Sequence, residues 1–277
     1  MRSPARTLRR LLPVVGALAA SALAQPALPG TSPLTLEGDL SAQMVAGIHR
    51  YLDAEGRRVA AEREEFWPVN FSSRETYETS VAPNRARLAK MLGVVDARVP
   101  APQFELVATT AVPALVAETD LITITAVRWP VLAGVHGEGL LLRPRGRVLA
   151  RVVALPDADQ TPEMIAGLSP GLPSTRQYAR RLAENGCEVV VPALLDRTDR
   201  FSGNPAINRR TNQPHREWIY RQAFALGRHP LGYEVQKVLA AVEALTSQSG
   251  GAAASVGVAG WGEGALLAFL SAALDAR

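Results

Sequence analysis

The sequence predicts an α/β fold in which a sheet begins antiparallel, continues with parallel strands and is covered by helices on both faces. Three observations carry this. From Phe104 the chain reads as closely spaced β-type runs, and from about Ser174 apolar runs alternate with helical stretches. Close to the end, an apolar strand enters a glycine turn that opens a further helix. Closely spaced strands pair as hairpins, whereas strands separated by helices form parallel βαβ units whose apolar runs are buried on both sides.

Taken in order, residues 1–24 read as a secretory signal peptide. The basic residues Arg2, Arg6, Arg9 and Arg10 precede the apolar run Leu11–Leu23, and Ala22-Leu23-Ala24 supplies the small-residue step for cleavage. The run is shorter than the roughly 18 residues a spanning helix needs and contains Pro13 and Gly16, so it does not read as an anchor. Export to the periplasm, the cell surface or the medium is therefore expected, with no membrane association after cleavage. A linker occupies residues 25–35. Residues 36–99 form a helical segment: Met44, Ile48, Tyr51 and Leu52 recur at helical spacing within Asp39–Glu65, with Asp39 or Ser41 as N-cap. A second helical stretch from Ser73 to Gly93 carries Leu88, Met91 and Leu92 as an apolar patch and is expected to break at Pro83.

Residues 100–277 make up the α/β domain. Its expected strands are Phe104–Thr109, Leu121–Val131, Gly139–Arg143, Val148–Leu155, Glu188–Leu195 and Ala254–Ala259. Its expected helices are Ser174–Glu184, a long one from about Glu217 to Leu245, and one beginning after Gly264.

The formal net charge is +4, and four of the positive charges lie in the leader without an acid beside them. The remaining chain is close to neutral and has no basic stripe, which argues against nucleic acid or an anionic membrane surface as partner. Cys187 is the single cysteine, so no intrachain disulfide can form, and its place at the start of a buried strand reads as a packed thiol. His49 and His136 have no acidic or histidine partner at metal-ligand spacing, and neither a metal nor another cofactor is expected.

The chemistry-bearing feature is Val256-Gly257-Val258-Ala259-Gly260-Trp261-Gly262-Glu263-Gly264-Ala265. Its strand, glycine turn and helix start match the layout of an α/β-hydrolase nucleophile elbow, G-x-S-x-G, except that the central residue is Gly262. An elbow lifts its central side chain to the apex of a strained turn, where neighbouring N–H groups hold the oxyanion. Gly262, flanked by Trp261 and Glu263, has no side chain to attack with. Upstream, Val152–Glu163 reads as a strand opening into the loop that supplies the second oxyanion donor, with Asp157 and Ala158 as the candidate positions; the donor there is a backbone N–H. Asp157 and Asp159 could be acid/base carboxylates, but fit turn and helix-cap roles better.

The stretch Thr211-Asn212-Gln213-Pro214-His215-Arg216-Glu217-Trp218-Ile219-Tyr220-Arg221, continuing through Gly227-Arg228-His229 and Gly232–Val242, resembles secreted bacterial acetyl xylan esterase-like α/β-hydrolases of the dienelactone hydrolase group. Asn84–Gly93 is similar to the helical lead-in of those proteins. The resemblance covers roughly residues 40–277. It implies an α/β-hydrolase fold, a carbohydrate or acyl ester as ligand, and a serine where this chain has Gly262. Active members place the triad acid and histidine after the elbow, so these are expected beyond Arg277, in a longer protein. His215 and His229 precede the elbow and read as structural or loop-bonding residues.

Two other readings stay open. Gly260-Trp261-Gly262-Glu263-Gly264-Ala265 also satisfies G-x-G-x-x-A, the fingerprint of a dinucleotide-binding oxidoreductase, which further requires an acidic residue about 20 positions on. A secreted non-catalytic binding module on the hydrolase scaffold accounts directly for Gly262.

Overall fold

The computed structural model describes residues 28–248 and 256–277; the expected signal peptide, the first linker residues and the first two residues of the expected last strand lie outside them. The chain divides into two units, residues 1–63 and 64–277. In the first, helix α1 (Leu40–Glu62) begins where the Asp39 carboxylate accepts the N–H groups of Ser41 and Ala42, which selects Asp39 over Ser41 as the cap. None of its residues is buried.

The second unit opens with helix α2 (Arg74–Leu92). Ser73 and Thr76 form a reciprocal capping box at its start, and Gly93 closes it in the left-handed region at φ 72°. The expected break at Pro83 does not occur: Pro83 lies inside a continuous helix. Proline removes one ladder bond, but both ends are capped and the helix is tied to the rest of the unit, where the Arg85 Nε donates to the Ala273 carbonyl at 2.9 Å.

The strands follow as β1 (Glu105–Leu106), β2 (Leu115–Glu118), β3 (Ile122–Leu132), β4 (Val135–Pro144) and β5 (Ala150–Leu155). Helices α3 (Pro162–Ala166) and α4 (Tyr178–Glu184) lead to β6 (Cys187–Pro192). A small hairpin, β7 (Gly203–Asn204) with β8 (Arg209–Arg210), precedes α5 (His215–Phe224) and α6 (Pro230–Ser247), and the chain finishes with β9 (Val256–Gly260) and α7 (Glu263–Leu274). The large sheet runs β1-β3-β4-β6-β5-β9, with β2 also on β3. Pairs β3/β4 and β4/β6 are antiparallel, and β6/β5 and β5/β9 are parallel. This is the α/β-hydrolase-like order the sequence predicts. Among the described residues β9 pairs with β5 alone.

The reading of buried strands holds because alternate residues feed two cores. Val190, Val153 and Leu155 join the α6 and α7 side with Val127, Trp129 and Leu267. Val189, Val191 and Ala154 join the α3 and α4 side with Ile122, Leu142 and Ala179. A strand covered on both faces leaves little room for an unpaired polar residue, and the buried Glu188 at the start of β6 is paired with Arg143 and Arg151.

Three expectations are corrected. The long helix from Glu217 to Leu245 is two helices, because Gly227 turns at φ 68° and Pro230 can only start a new helix at its first position. The helix expected from Ser174 begins as a single 3₁₀ turn over Ser174–Arg176, and α4 starts at Tyr178. The strand expected over Phe104–Thr109 shrinks to β1, while β2, α3 and the β7/β8 hairpin were not anticipated; all are too short for periodicity to show.

On α6 the Gln236 side chain is fully buried, and its amide finds no hydrogen-bond partner among the described residues. An orphaned buried amide carries a desolvation cost that a thioether of similar volume does not. Gln236→Met is expected to stabilise the fold by about 1–2 kcal/mol, raising the thermal midpoint by roughly 2–8 °C in circular-dichroism melts. A lower midpoint would mean that the amide is in fact satisfied.

Candidate active site

The candidate site forms where β9 ends and α7 begins. Two glycines make the junction possible. Gly264 lies so close to the end of β5 that a Cβ there would stand 2.2 Å from the Leu155 carbonyl oxygen and 2.5 Å from that of Pro156. Gly262, at the apex, holds φ 57° and ψ −122°, a conformation that side-chain-bearing residues adopt only under constraint. The turn therefore has the geometry of an elbow, and the glycine-rich spacing has a packing cause as well as a conformational one.

Facing the apex is the loop that leaves β5. Asp157 turns its carboxylate toward α7, and one oxygen, Oδ1, accepts the Glu263 N–H at 2.8 Å and the Ala158 N–H at 2.8 Å. These two N–H groups, from the helix start and the facing loop, converge on one point. The Ala158 N–H thus donates to the side chain of its own neighbour. The sequence gives no sign that the neighbouring carboxylate fills the point both donors address. A Cβ at Gly262 would lie 2.3–2.4 Å from the three carboxyl atoms of Asp157, so that side chain occupies the place a residue at the apex would need. The Glu263 N–H, then that of Ala158, hold the Asp157 carboxyl below its usual range by bonding to the charged form. Burial, then the Asp157 charge, raises the nearby Tyr178 phenol, whose hydroxyl donates to the Leu155 carbonyl. The helix-cap reading of Asp157 fits this geometry, although the helix capped is α7, 106 positions away, while Thr161 caps the adjacent α3. Asp159 is exposed and reaches Arg197 at 3.5 Å.

Glu263 is held by ion pairs with Arg216 and, at 3.4 Å, with Arg197. Arg216 also donates to the Leu195 carbonyl at 2.9 Å. Trp261 projects into solvent. Neither arginine was singled out in the sequence, since neither Arg197 in its loop nor Arg216 in the first turn of α5 carries a pattern that names its partner.

Both elbow-side histidines are engaged. His215 pairs through Nδ1 with Asp196 at 2.7 Å, accepts the Phe201 N–H at Nε2 at 2.8 Å, and lies under the Phe201 ring. Both ring nitrogens are therefore engaged. His229 accepts the Leu231 N–H at Nδ1 and caps α6. The expectation that His49 lacks an acidic partner at metal-ligand spacing is corrected: Asp53, one helical turn on, pairs with it at 3.4 Å on α1.

One cavity adjoins the site, and a second shares Leu195 and Glu234 with it as wall. The first, of about 190 Å³, is lined by Arg216, Tyr220, His229 and Glu263. The other, of about 250 Å³, lies against the β3–β4 hairpin with His136, Tyr233 and Lys237. Glu234 is buried between them, accepts the Leu195 N–H at 2.7 Å and pairs with Lys237 at 2.7 Å. Among the described residues no group of three or more His, Cys, Asp or Glu could hold a metal ion. No described helix is long and apolar enough to cross a membrane.

Residues 162–277 match the dienelactone hydrolase family, in agreement with the resemblance read from the sequence. No curated protein matches the chain's sequence. Among solved structures, the backbone is similar to that of a Bacteroides fragilis protein described as a candidate acetyl xylan esterase, 16% identical over 73% of this chain and 51% of that one, with a TM-score of 0.53. Lower similarity links it to an acetyl xylan esterase from Paenibacillus sp. R4 (16% identity, 70% of this chain and 54% of that one, TM-score 0.43) and to a CE15 glucuronoyl esterase from Teredinibacter turnerae (14%, 76% and 53%, TM-score 0.46). The chain spans about half the length of these proteins.

Proposed function

We propose that this chain, α/β-hydrolase-like in fold and matched over residues 162–277 to the dienelactone hydrolase family, is an exported carbohydrate-ester hydrolase scaffold that binds its ligand without hydrolysing it. One observation carries the reading: the apex of the elbow-shaped turn is Gly262, in the strained conformation that would present a nucleophile, and it has none to present. Without a hydroxyl or thiol there, covalent catalysis is lost. What a triad enzyme retains after such a loss is about 10³–10⁴-fold over water, from the oxyanion hole and binding alone. Here both converging N–H groups are already bonded to Asp157, so that residue of catalysis is suppressed as well. The ligand class, a carbohydrate or acyl ester, is supported by the family resemblance and by a cavity of about 190 Å³ beside Glu263, large enough for an acyl group or part of a sugar ring.

The purified chain is expected to hydrolyse 4-nitrophenyl acetate and acetylated xylan no faster than the same protein after denaturation. Saturable turnover that survives replacement of Gly262 by a bulky residue would place the chemistry elsewhere and overturn the reading. The dinucleotide alternative fits less well, because the Asp157 carboxylate already accepts the Glu263 N–H at the helix start where a pyrophosphate would bind. Quenching of NADH fluorescence by the protein at micromolar concentration would favour that alternative.

A further inference from the structure

We propose that the cavity of about 250 Å³ against the β3–β4 hairpin binds a small neutral ligand with a hydroxyl group on an apolar body, of the class of a one-ring phenol. This goes beyond the reading above. The cavity shares only Leu195 and Glu234 with the one beside Glu263, and the elbow takes no part in it.

The walls are chiefly apolar: Val131 and Leu132 from the end of β3, Val135 from the start of β4 and Ile219 from α5. Set among them is the Glu234–Lys237 pair on α6, and the lysine is held in place at three points. The Trp129 indole N–H donates to its carbonyl at 3.1 Å, and its stem lies so near β4 that a Cβ on Gly137 would stand 2.8 Å from Lys237 Cγ. Its ammonium donates to the Ala193 carbonyl at 2.7 Å. Glu234 is 3% exposed, and its Oε1 accepts the Leu195 N–H. Of the three ammonium N–H groups, one goes to Ala193 and one faces Glu234 Oε2 at 2.7 Å, which leaves one open among the described residues. Oε2 itself makes no hydrogen bond of good geometry among those residues.

A fixed open donor thus stands beside an open acceptor in an apolar cavity, the pattern of a small-molecule site. A hydroxyl answers both, because it donates once and accepts twice. Net charge is selected against, since the pair compensates itself and an added anion or cation would be left without a counter-charge where water is scarce. Size sets the rest: a dry apolar cavity of about 150 Å³ accepts benzene, so this one has room for a ring and one polar substituent.

The alternative is that the pair only ties the chain after β6 to α6 and that the cavity holds nothing but water. Both roles account for a buried ion pair, but only a ligand site predicts selective uptake. Titrated into the native 277-residue chain, phenol should move the backbone amide resonances of Val135, Ile219 and Lys237 saturably, with a dissociation constant of about 0.1–1 mM. Toluene, which lacks the hydroxyl, and benzoate, which adds a charge, should each bind at least about tenfold more weakly. Val135→Trp, at an exposed position of the wall, should abolish the phenol response and leave the circular-dichroism melt unchanged; Ile219→Trp serves if that variant does not fold. Absence of saturable shifts, or shifts that persist in the blocked variant, would overturn the site. Equal binding of toluene or benzoate would overturn the role of the pair and with it the ligand class. Phenol is not an ester, so failure here leaves the proposed function standing, and ester turnover by the native chain would leave this site standing.

Discussion

Gly262→Ser is expected to leave the 277-residue chain without ester hydrolysis and to cost it stability. A serine hydroxyl stays a weak nucleophile until a histidine accepts its proton and a carboxylate holds that histidine's tautomer. The four histidines are at 49, 136, 215 and 229. Of the two near the elbow, His215 has both ring nitrogens engaged by Asp196 and Phe201, and His229 is spent on the start of α6. The new side chain would also meet the Asp157 carboxyl group at 2.3 Å, forcing it off the Ala158 and Glu263 N–H groups. Strained backbone costs about 1–3 kcal/mol and each lost charge-assisted bond about 1.5–3 kcal/mol, partly recovered as Asp157 rehydrates. A net loss of about 3 kcal/mol, seen as a fall of roughly 6–12 °C in the melting midpoint, is expected. Combining Gly262→Ser with Asp157→Gly should be less damaging than the sum of the single changes, since one removes the atoms that the other displaces. A burst of acyl-enzyme from Gly262→Ser alone would show that His215 or His229 can leave its partners and serve the elbow.

A second large effect is expected at Gly264. In Gly264→Ala the methyl group would overlap two backbone carbonyls, which cannot rotate away as a side chain can. Helix α7 would have to withdraw from β5, loosening Leu267 from the core and drawing the Glu263 N–H away from Asp157. A loss of about 3–5 kcal/mol is expected in urea denaturation, at the high end for a single substitution and traceable to overpacking at a close backbone approach. Gly257→Ala is the matched control on the adjoining strand: its nearest neighbour would be Val152 Cγ2 at 3.6 Å, an ordinary contact, and it should change stability by no more than about 0.5 kcal/mol. Similar effects from the two would mean that α7 does not seat on β5 as described.

Much of the fold was legible because its signals are local. The apolar runs at β3, β5 and β6 announced strands, and the shift from closely spaced strands to strand–helix alternation announced where antiparallel pairing gives way to parallel. One of the two caps offered for α1, Asp39, marks its start, and α2 starts from its cap Ser73, as expected. Where local signals conflicted, packing or breakers decided. Pro83 was absorbed into a helix anchored at both ends, whereas Gly227 and Pro230 together split one that the apolar pattern alone would have continued.

The sequence by itself determined that a strand, a glycine apex and a helix would follow one another at residues 256–265, and that this apex carries no nucleophile; both are properties of consecutive residues. Only the tertiary structure decided what lies against that apex. Asp157 reaches α7 from 106 positions away, Arg197 from a loop and Arg216 from the first turn of α5 converge on Glu263, and Asp196 and Phe201 close off His215. Periodicity and turn chemistry report how a backbone runs and which face it buries. The direction of a polar side chain in a loop is set by whichever donors the assembled sheet brings within about 3 Å, and those donors come from residues that no local pattern connects.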